Sequence, residues 1–196
     1  MPRLVGDLLF TAAQVVWLFA PLLFAAAVSG AVLRFELLHE LRLPIDGGLS
    51  IGGRRIFGDH KTWRGVVVAI AACALATEVQ RAMAGWTEPL SLVDYRKLSP
   101  LFFGGAMGVG AMLGELPNSF VKRRLGIAPG EAALGWRAAV FYVWDQVDLL
   151  TGAWPALLPW IQPDARVVAT SFVVAIALHP IVALIGYLLG ARRSAR

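Results

Sequence analysis

Charge is what this chain has least of. Only 16% of its 196 residues are charged and 58% are apolar, with a mean hydropathy of +0.66. A soluble domain carries about 25% charged and about 45–50% apolar residues. The shortfall excludes an ordinary soluble fold and points to a polytopic membrane protein. Cysteine is nearly missing as well. Cys73 is the only one, so no disulfide forms within the chain and no cysteine-based metal site exists. It reads as a small buried hydrophobe. His60 has nothing nearby at His-type metal spacing, and His179 on an apolar run reads as a hydrogen-bonded core histidine. Internal repeats, low-complexity tracts and a soluble domain are all lacking. The net charge of +5 does not call for nucleic acid, because cations flanking membrane spans and meeting anionic headgroups account for it.

Five apolar runs make up most of the chain, at about 8–33, 66–83, 100–116, 136–158 and 167–189. About 20 residues cross a bilayer. The expected fold is an all-α integral membrane protein, a single domain of five transmembrane helices with two basic, Gly-rich cytoplasmic loops. The first run exceeds the h-region of about 7–15 residues in a signal peptide, so it is expected to stay as a helix. The third contains GGAMGVGAMLG, in which Gly104, Gly108 and Gly114 form a small-residue face for close packing. Glu115-Leu116-Pro117-Asn118 is expected to end it. Pro180 is placed to kink the fifth.

The polar content is concentrated in two connections. Ile51 to Gly65 reads IGGRRIFGDHKTWRG and holds Arg54, Arg55, Lys61 and Arg64 beside Asp59 and His60. Glycines let backbone approach a ligand closely, and guanidinium forks and a lysine suit phosphate oxygens. Asp59 and His60 stand between Gly58 and Lys61, which excludes the Walker A spacing. Ser119 to Gly135 repeats the chemistry with Lys122, Arg123 and Arg124. The plain alternative is a pair of basic loops that only obey the positive-inside rule. That rule places both loops and the C-terminus, with its Arg192, Arg193 and Arg196, in the cytoplasm and the N-terminus outside, in the cell (inner or plasma) membrane. Both basic loops then face the compartment that holds nucleotides.

The fourth run is chemically odd, because FYVWDQVDLLTG carries Asp145 and Asp148. Spacing of i,i+3 puts both carboxylates on one helix face. A carboxylate at membrane depth costs roughly 2.5–3.5 kcal/mol on insertion scales. A pair is tolerated where it binds a cation or lines a polar cavity. Mg²⁺ is held through one or two carboxylates plus substrate phosphates, so Asp145 and Asp148 are the first candidates for a metal site. The alternative is two aspartates reaching the interface. Asp46, in Pro44-Ile45-Asp46-Gly47-Gly48, is either a turn residue or an acidic ligand. Asp59 and Glu115 are second-rank acids. Metal, loop cations and a bilayer together suit transfer from a nucleoside triphosphate.

Three motifs in order resemble one family. Pro44 to Gly48 followed by Gly58-Asp59-His60-Lys61-Thr62-Trp63-Arg64-Gly65 looks like the first cytoplasmic loop of CDP-archaeol synthases. Gly114-Glu115-Leu116-Pro117-Asn118-Ser119-Phe120-Val121-Lys122-Arg123-Arg124 through Gly130 looks like their second, and Asp145-Gln146-Val147-Asp148 is also similar to the wider CDP-diacylglycerol synthase signature. The resemblance implies a membrane cytidylyltransferase. A lipid phosphate oxygen attacks the α-phosphorus of CTP with Mg²⁺, giving a CDP-lipid and pyrophosphate. It implies digeranylgeranylglyceryl phosphate or a similar lipid as substrate. Asp145 and Asp148 would bind Mg²⁺. Lys122, Arg123 and Arg124 would hold CTP phosphates with Ser119 beside them, and Lys61, Thr62 and Arg64 would contact the triphosphate or the lipid phosphate. Asp59 and Glu115 would orient these or join the metal shell. Two rivals are a phosphatidate cytidylyltransferase and a non-catalytic ion-transport protein. The missing inverted repeat disfavours the common transporter plan.

Overall fold

The structure is a computed structural model that describes residues 2–131 and 133–188. Five helices are present: α1 (Pro2–Arg34), α2 (Trp63–Ala82), α3 (Pro100–Arg124), α4 (Trp136–Leu157) and α5 (Ala165–Leu188). Single 3₁₀ turns lie at His39–Leu41 and Glu88–Leu90. Among the described residues, the stretches Leu4–Arg34 and Trp63–Ala82 are long and apolar enough to cross a membrane. The helix of α5 continues past residues 179 and 180, whose side chains lie outside the described residues, as does the basic C-terminal tail.

Helix α3 runs through the middle of the bundle, between α2 and α4, while α1 packs on α2 and α5. Its glycines explain why. A Cβ at Gly104 would sit 2.5 Å from the Cys73 carbonyl oxygen, and one at Gly108 2.7 Å from that of Ala69. On the other side, a Cβ at Gly110 would lie 2.5 Å from the Gly152 oxygen and one at Gly114 2.1 Å from the Asp148 oxygen. Only hydrogen at these positions lets the three backbones come this close, as the small-residue reading anticipated. The remaining core is Leu18, Phe103, Met107 and Leu157, each fully buried. Edge-on aromatic pairs close it, with Phe19–Trp154 centroids 5.1 Å apart and Phe103–Trp160 5.7 Å apart.

Two buried polar groups repair defects in this core. Pro21 inside α1 has no N–H for the Trp17 carbonyl four residues back, and the Gln80 amide of α2 donates to that oxygen instead. The Trp154 indole of α4 donates to Ser171 of α5 at 2.9 Å. Large apolar side chains, including Leu9, Phe102, Leu113, Val140 and Val173, remain on the outer faces. A water-soluble monomer rarely exposes so much contiguous apolar surface, whereas hydrocarbon would solvate it.

One expectation needs correction. The third helix does not stop at Glu115-Leu116-Pro117-Asn118 but continues to Arg124. An interior proline costs about 3 kcal/mol. Here Asn118 and Lys122, both beyond Pro117, bond to α4 and hold the last two turns in place. The first loop carries a short hairpin that the sequence did not announce. Ser50–Ile51 (β1) and Arg54–Arg55 (β2) pair antiparallel. Gly52 (φ +58°) and Gly53 (φ +74°) make the turn between them, the positive-φ pair that a tight hairpin requires.

Candidate active site

The first loop is a closed unit. Pro44 bridges Thr62, with Ile45 N–H donating to the Lys61 carbonyl at 2.9 Å and Trp63 N–H to that of Leu43 at 3.0 Å. Asp46 sits at its centre with a side chain 1% exposed. Its carboxylate accepts from the Gly48 and Phe57 amides, each at 3.0 Å, and from Arg55 Nη2 at 2.8 Å. Burial pushes the Asp46 carboxyl up, but the Phe57 amide, the Arg55 guanidinium and the Gly48 amide outweigh it and bring it down to about 2. Asp46 is thus the turn residue that gathers the loop, and Arg55 passes a second bond on to Asp59. Gly58 (φ +99°) brings the two basic loops together. A Cβ there would lie 3.1 Å from Cγ of Pro129.

Several of the basic residues hold the frame. Arg124 reaches from the end of α3 to the carbonyls of Ile51, Arg54 and Arg55, at 2.5, 2.8 and 2.6 Å, and Arg54 returns a bond to the Arg124 carbonyl. The hairpin is therefore stapled to α3. Thr62 caps α2, its hydroxyl accepting from the Gly65 amide at 3.4 Å. Arg64 is buried and donates to the Leu37 carbonyl at 3.3 Å. The side chains of Thr62, Arg64 and Arg124 serve the architecture in this structure.

Other residues converge. Glu115, Asn118 and Lys122 lie three and four residues apart on α3, which puts them on one face. Lys61 of the first loop pairs with Glu115. Lys122 pairs with Asp145 of α4 and lies 5.4 Å from the Phe141 ring centroid. Asn118, 2% exposed, donates from one Nδ2 to Asp145 Oδ1 at 2.6 Å and to Asp148 Oδ2 at 2.9 Å. One cluster thus joins the first loop, α3 and α4 and contains Lys61, Glu115, Asn118, Lys122, Asp145 and Asp148. Sequence reasoning gave Asn118 no role. The available signal was its position on the face that carries Glu115 and Lys122.

Beside the cluster, a pocket of about 400 Å³ opens between the basic loops, lined by Arg54, Arg55, Asp59, Arg123, Gly126 and Pro129. Arg123 is 6% exposed, and its Nε and Nη1 have no hydrogen-bond partner among the described residues. Buried donors of this kind cost stability until an acceptor arrives. Asp59 is mostly exposed at the rim, and Ser119 is buried next to the cluster. A second groove, of about 800 Å³, lies between α3 and α4 and is lined by Leu113, Gly114, Pro117, Trp144 and Gly152 among others.

No group of three or more His, Cys, Asp or Glu forms a metal cage among the described residues. The acids Asp145 and Asp148 still fit a hard divalent cation. Both present oxygen, and the buried Asn118 Oδ1 has no partner. A half-turn of that amide would offer a third, neutral oxygen. Mg²⁺ is commonly bound by few protein oxygens, with phosphates completing the shell.

A family profile for CarS-like CDP-archaeol synthases matches residues 7–194. The chain belongs to the CDP-archaeol synthase family. A CDP-archaeol synthase of Halobacterium salinarum is 38% identical over 159 residues, covering 76% of this chain and 81% of that protein. That of Archaeoglobus fulgidus is 30% identical over 185 residues, covering 89% and 92%. A solved structure described as an intramembrane enzyme for archaeal membrane lipid biosynthesis superposes with a TM-score of 0.63. Its identity is 27%, and the match covers 87% of this chain and 92% of that one. Family membership makes the protein a membrane enzyme, a cytidylyltransferase.

Proposed function

We propose that the protein transfers a cytidylyl group from CTP to an isoprenoid glycerol ether phosphate, digeranylgeranylglyceryl phosphate or a close relative, with Mg²⁺ at Asp145 and Asp148. A phosphate oxygen of the lipid forms a bond to the α-phosphorus, the bond to the β-phosphate bridging oxygen breaks, and pyrophosphate leaves. The observation that carries this reading is the single cluster in which α3 and α4 bring Asp145, Asp148, Asn118 and Lys122 together beside Lys61.

Each part has a task. Lys61 and Lys122 are placed to bind the reacting phosphates as they are released from their carboxylates. Arg123, with two open donors in the pocket between the basic loops, is placed to take the terminal phosphates. Such cations stabilise charge on a departing pyrophosphate. Asp145 and Asp148 would hold the divalent ion, which when bound would supply Lewis-acid stabilisation of the charge that develops on the phosphates. The apolar α3–α4 groove, whose lining includes Pro117 and Trp144 next in sequence to Asn118 and Asp145, suits a hydrocarbon chain arriving from the bilayer. All five helices cross the membrane in this reading, with both basic loops and the C-terminus in the cytoplasm.

The test is pyrophosphate release by detergent-purified protein given CTP, Mg²⁺ and a lipid phosphate. Faster release with digeranylgeranylglyceryl phosphate than with phosphatidic acid is expected, and none with ATP. Preference for phosphatidic acid would transfer the assignment to ester lipids. No release with any lipid phosphate from folded protein would overturn it.

A further inference from the structure

The carboxylate pair is not waiting bare. Asp145 is held by two donors from α3, the Asn118 amide at 2.6 Å and the Lys122 ammonium, and Asp148 by the same Asn118 nitrogen at 2.9 Å. The Lys122 ammonium occupies the Asp145 oxygen that a cation would need, while the Asn118 nitrogen ties the two acids together. Lys122 is itself secured, with a side chain only 18% exposed and the Phe141 ring face beneath it. A lysine over an aromatic face keeps part of its stabilisation when it leaves a carboxylate. A second lysine–carboxylate pair, Lys61 with Glu115, lies in the same cluster.

We infer that Lys122 stands in for the divalent cation at Asp145 when no nucleotide is bound, so that the cation must displace Lys122 and enters with the nucleotide whose phosphates take that lysine over. This rests on the assignment of the cation to Asp145 and Asp148. The physical reason is exchange of partners. Without nucleotide, a cation reaching Asp145 would leave the Lys122 ammonium partly buried with no anion and close to a like charge. With the triphosphate present, the cation takes the carboxylates and Lys122 takes a phosphate, so neither charge is stranded. Metal and nucleotide affinities are then coupled, each raising the other. Asn118 has the second part. Its single amide nitrogen fixes the distance between the carboxylates and makes it a positioning residue for the pair.

The experiment uses full-length protein in detergent without nucleotide or lipid, titrated with Mn²⁺ while free Mn²⁺ is followed by its electron paramagnetic resonance signal. Removing the competing lysine in Lys122→Met is expected to tighten Mn²⁺ binding about fivefold, the equivalent of one partly buried ion pair. Lys122→Gln should do the same, which covers a failure of the first variant to fold. Asn118→Leu should weaken binding about tenfold, since an orienting neighbour of metal-binding carboxylates is worth that much. Unchanged or weaker Mn²⁺ binding in both Lys122 variants, with melting temperatures near the wild type, would overturn the exchange. So would unchanged binding in Asn118→Leu. If wild-type protein binds no Mn²⁺ even with CTP present, beyond what CTP alone holds, the cation assignment itself fails.

Discussion

The two halves of α3 are specified in opposite ways. From Pro100 to Gly114 the helix contacts its neighbours by having no side chains where the backbones cross. From Glu115 to Arg124 it contacts them almost wholly through side chains: Glu115 to the first loop, Asn118 and Lys122 to α4, and Arg124 to the hairpin. The first half tolerates no added volume. The second tolerates volume but depends on charge and hydrogen-bond capacity. They meet at Gly114, which rests against the main-chain oxygen of Asp148. The stiff half thus fixes the height of an acid that the polar half then binds, as a precise site on rigid elements requires.

That contrast can be broken hardest at Gly152. A Cβ there would lie 1.9 Å from the Gly110 carbonyl oxygen. Gly152→Val should push α3 and α4 apart and abolish the monodisperse peak in detergent size-exclusion chromatography. A well-folded, active variant would show that the helices are free to separate. Next come Asp145→Asn and Asp148→Asn, which change charge at nearly constant volume. Pyrophosphate release should fall by about 10³-fold or more, with the melting temperature within a few degrees of wild type. Substantial turnover in either variant would remove that acid from the site.

A smaller effect sharpens the comparison where the polar half meets the first loop. Asp46 is held down at about 2 in the folded loop, against about 3.9 for a free aspartate. A depressed folded value adds stability that is complete above the unfolded value and is lost as pH falls through the folded one. Hydrogen-exchange protection of residues 44–62 should therefore hold at neutral pH and fade between about pH 4 and pH 2. Asp46→Asn should lower that protection at pH 7 by about 2 kcal/mol and leave α3 and α4 protected. Equal protection in the variant would show that the loop is held by other contacts.

Much of this was legible. Hydropathy located all five helices because their apolar runs are long, with α2, α4 and α5 bounded to within three residues, but it began α1 six residues late and ended α3 eight residues early. The acids Asp145 and Asp148 stood out because charge in an apolar helix is costly. What escaped depended on neighbours distant in sequence. Pro117 carries a local stop signal, and only contacts to α4 keep the helix going. The hairpin strands are two residues each, too short for any alternation to register. Thr62, Arg64 and Arg124 have the composition of phosphate ligands, and here the Thr62 hydroxyl, one Arg64 nitrogen and the two terminal Arg124 nitrogens bond the chain's own backbone. Composition marks a group that can bind an anion but not whether the fold has already used it.

The neck of the first loop has one more consequence. Its two ends meet at the Pro44–Thr62 bridge, and the hairpin tip at Gly52 and Gly53 extends away with open space around it. Insertions and deletions that arise in evolution should therefore accumulate at that tip. Residues gained or lost there leave the spacing between α1 and α2 untouched, whereas a single deletion at the neck would shift Lys61 away from Glu115. Length variation among descendants of this gene should be confined accordingly, and the tip is the place to graft a tag or fluorophore without disturbing the bundle.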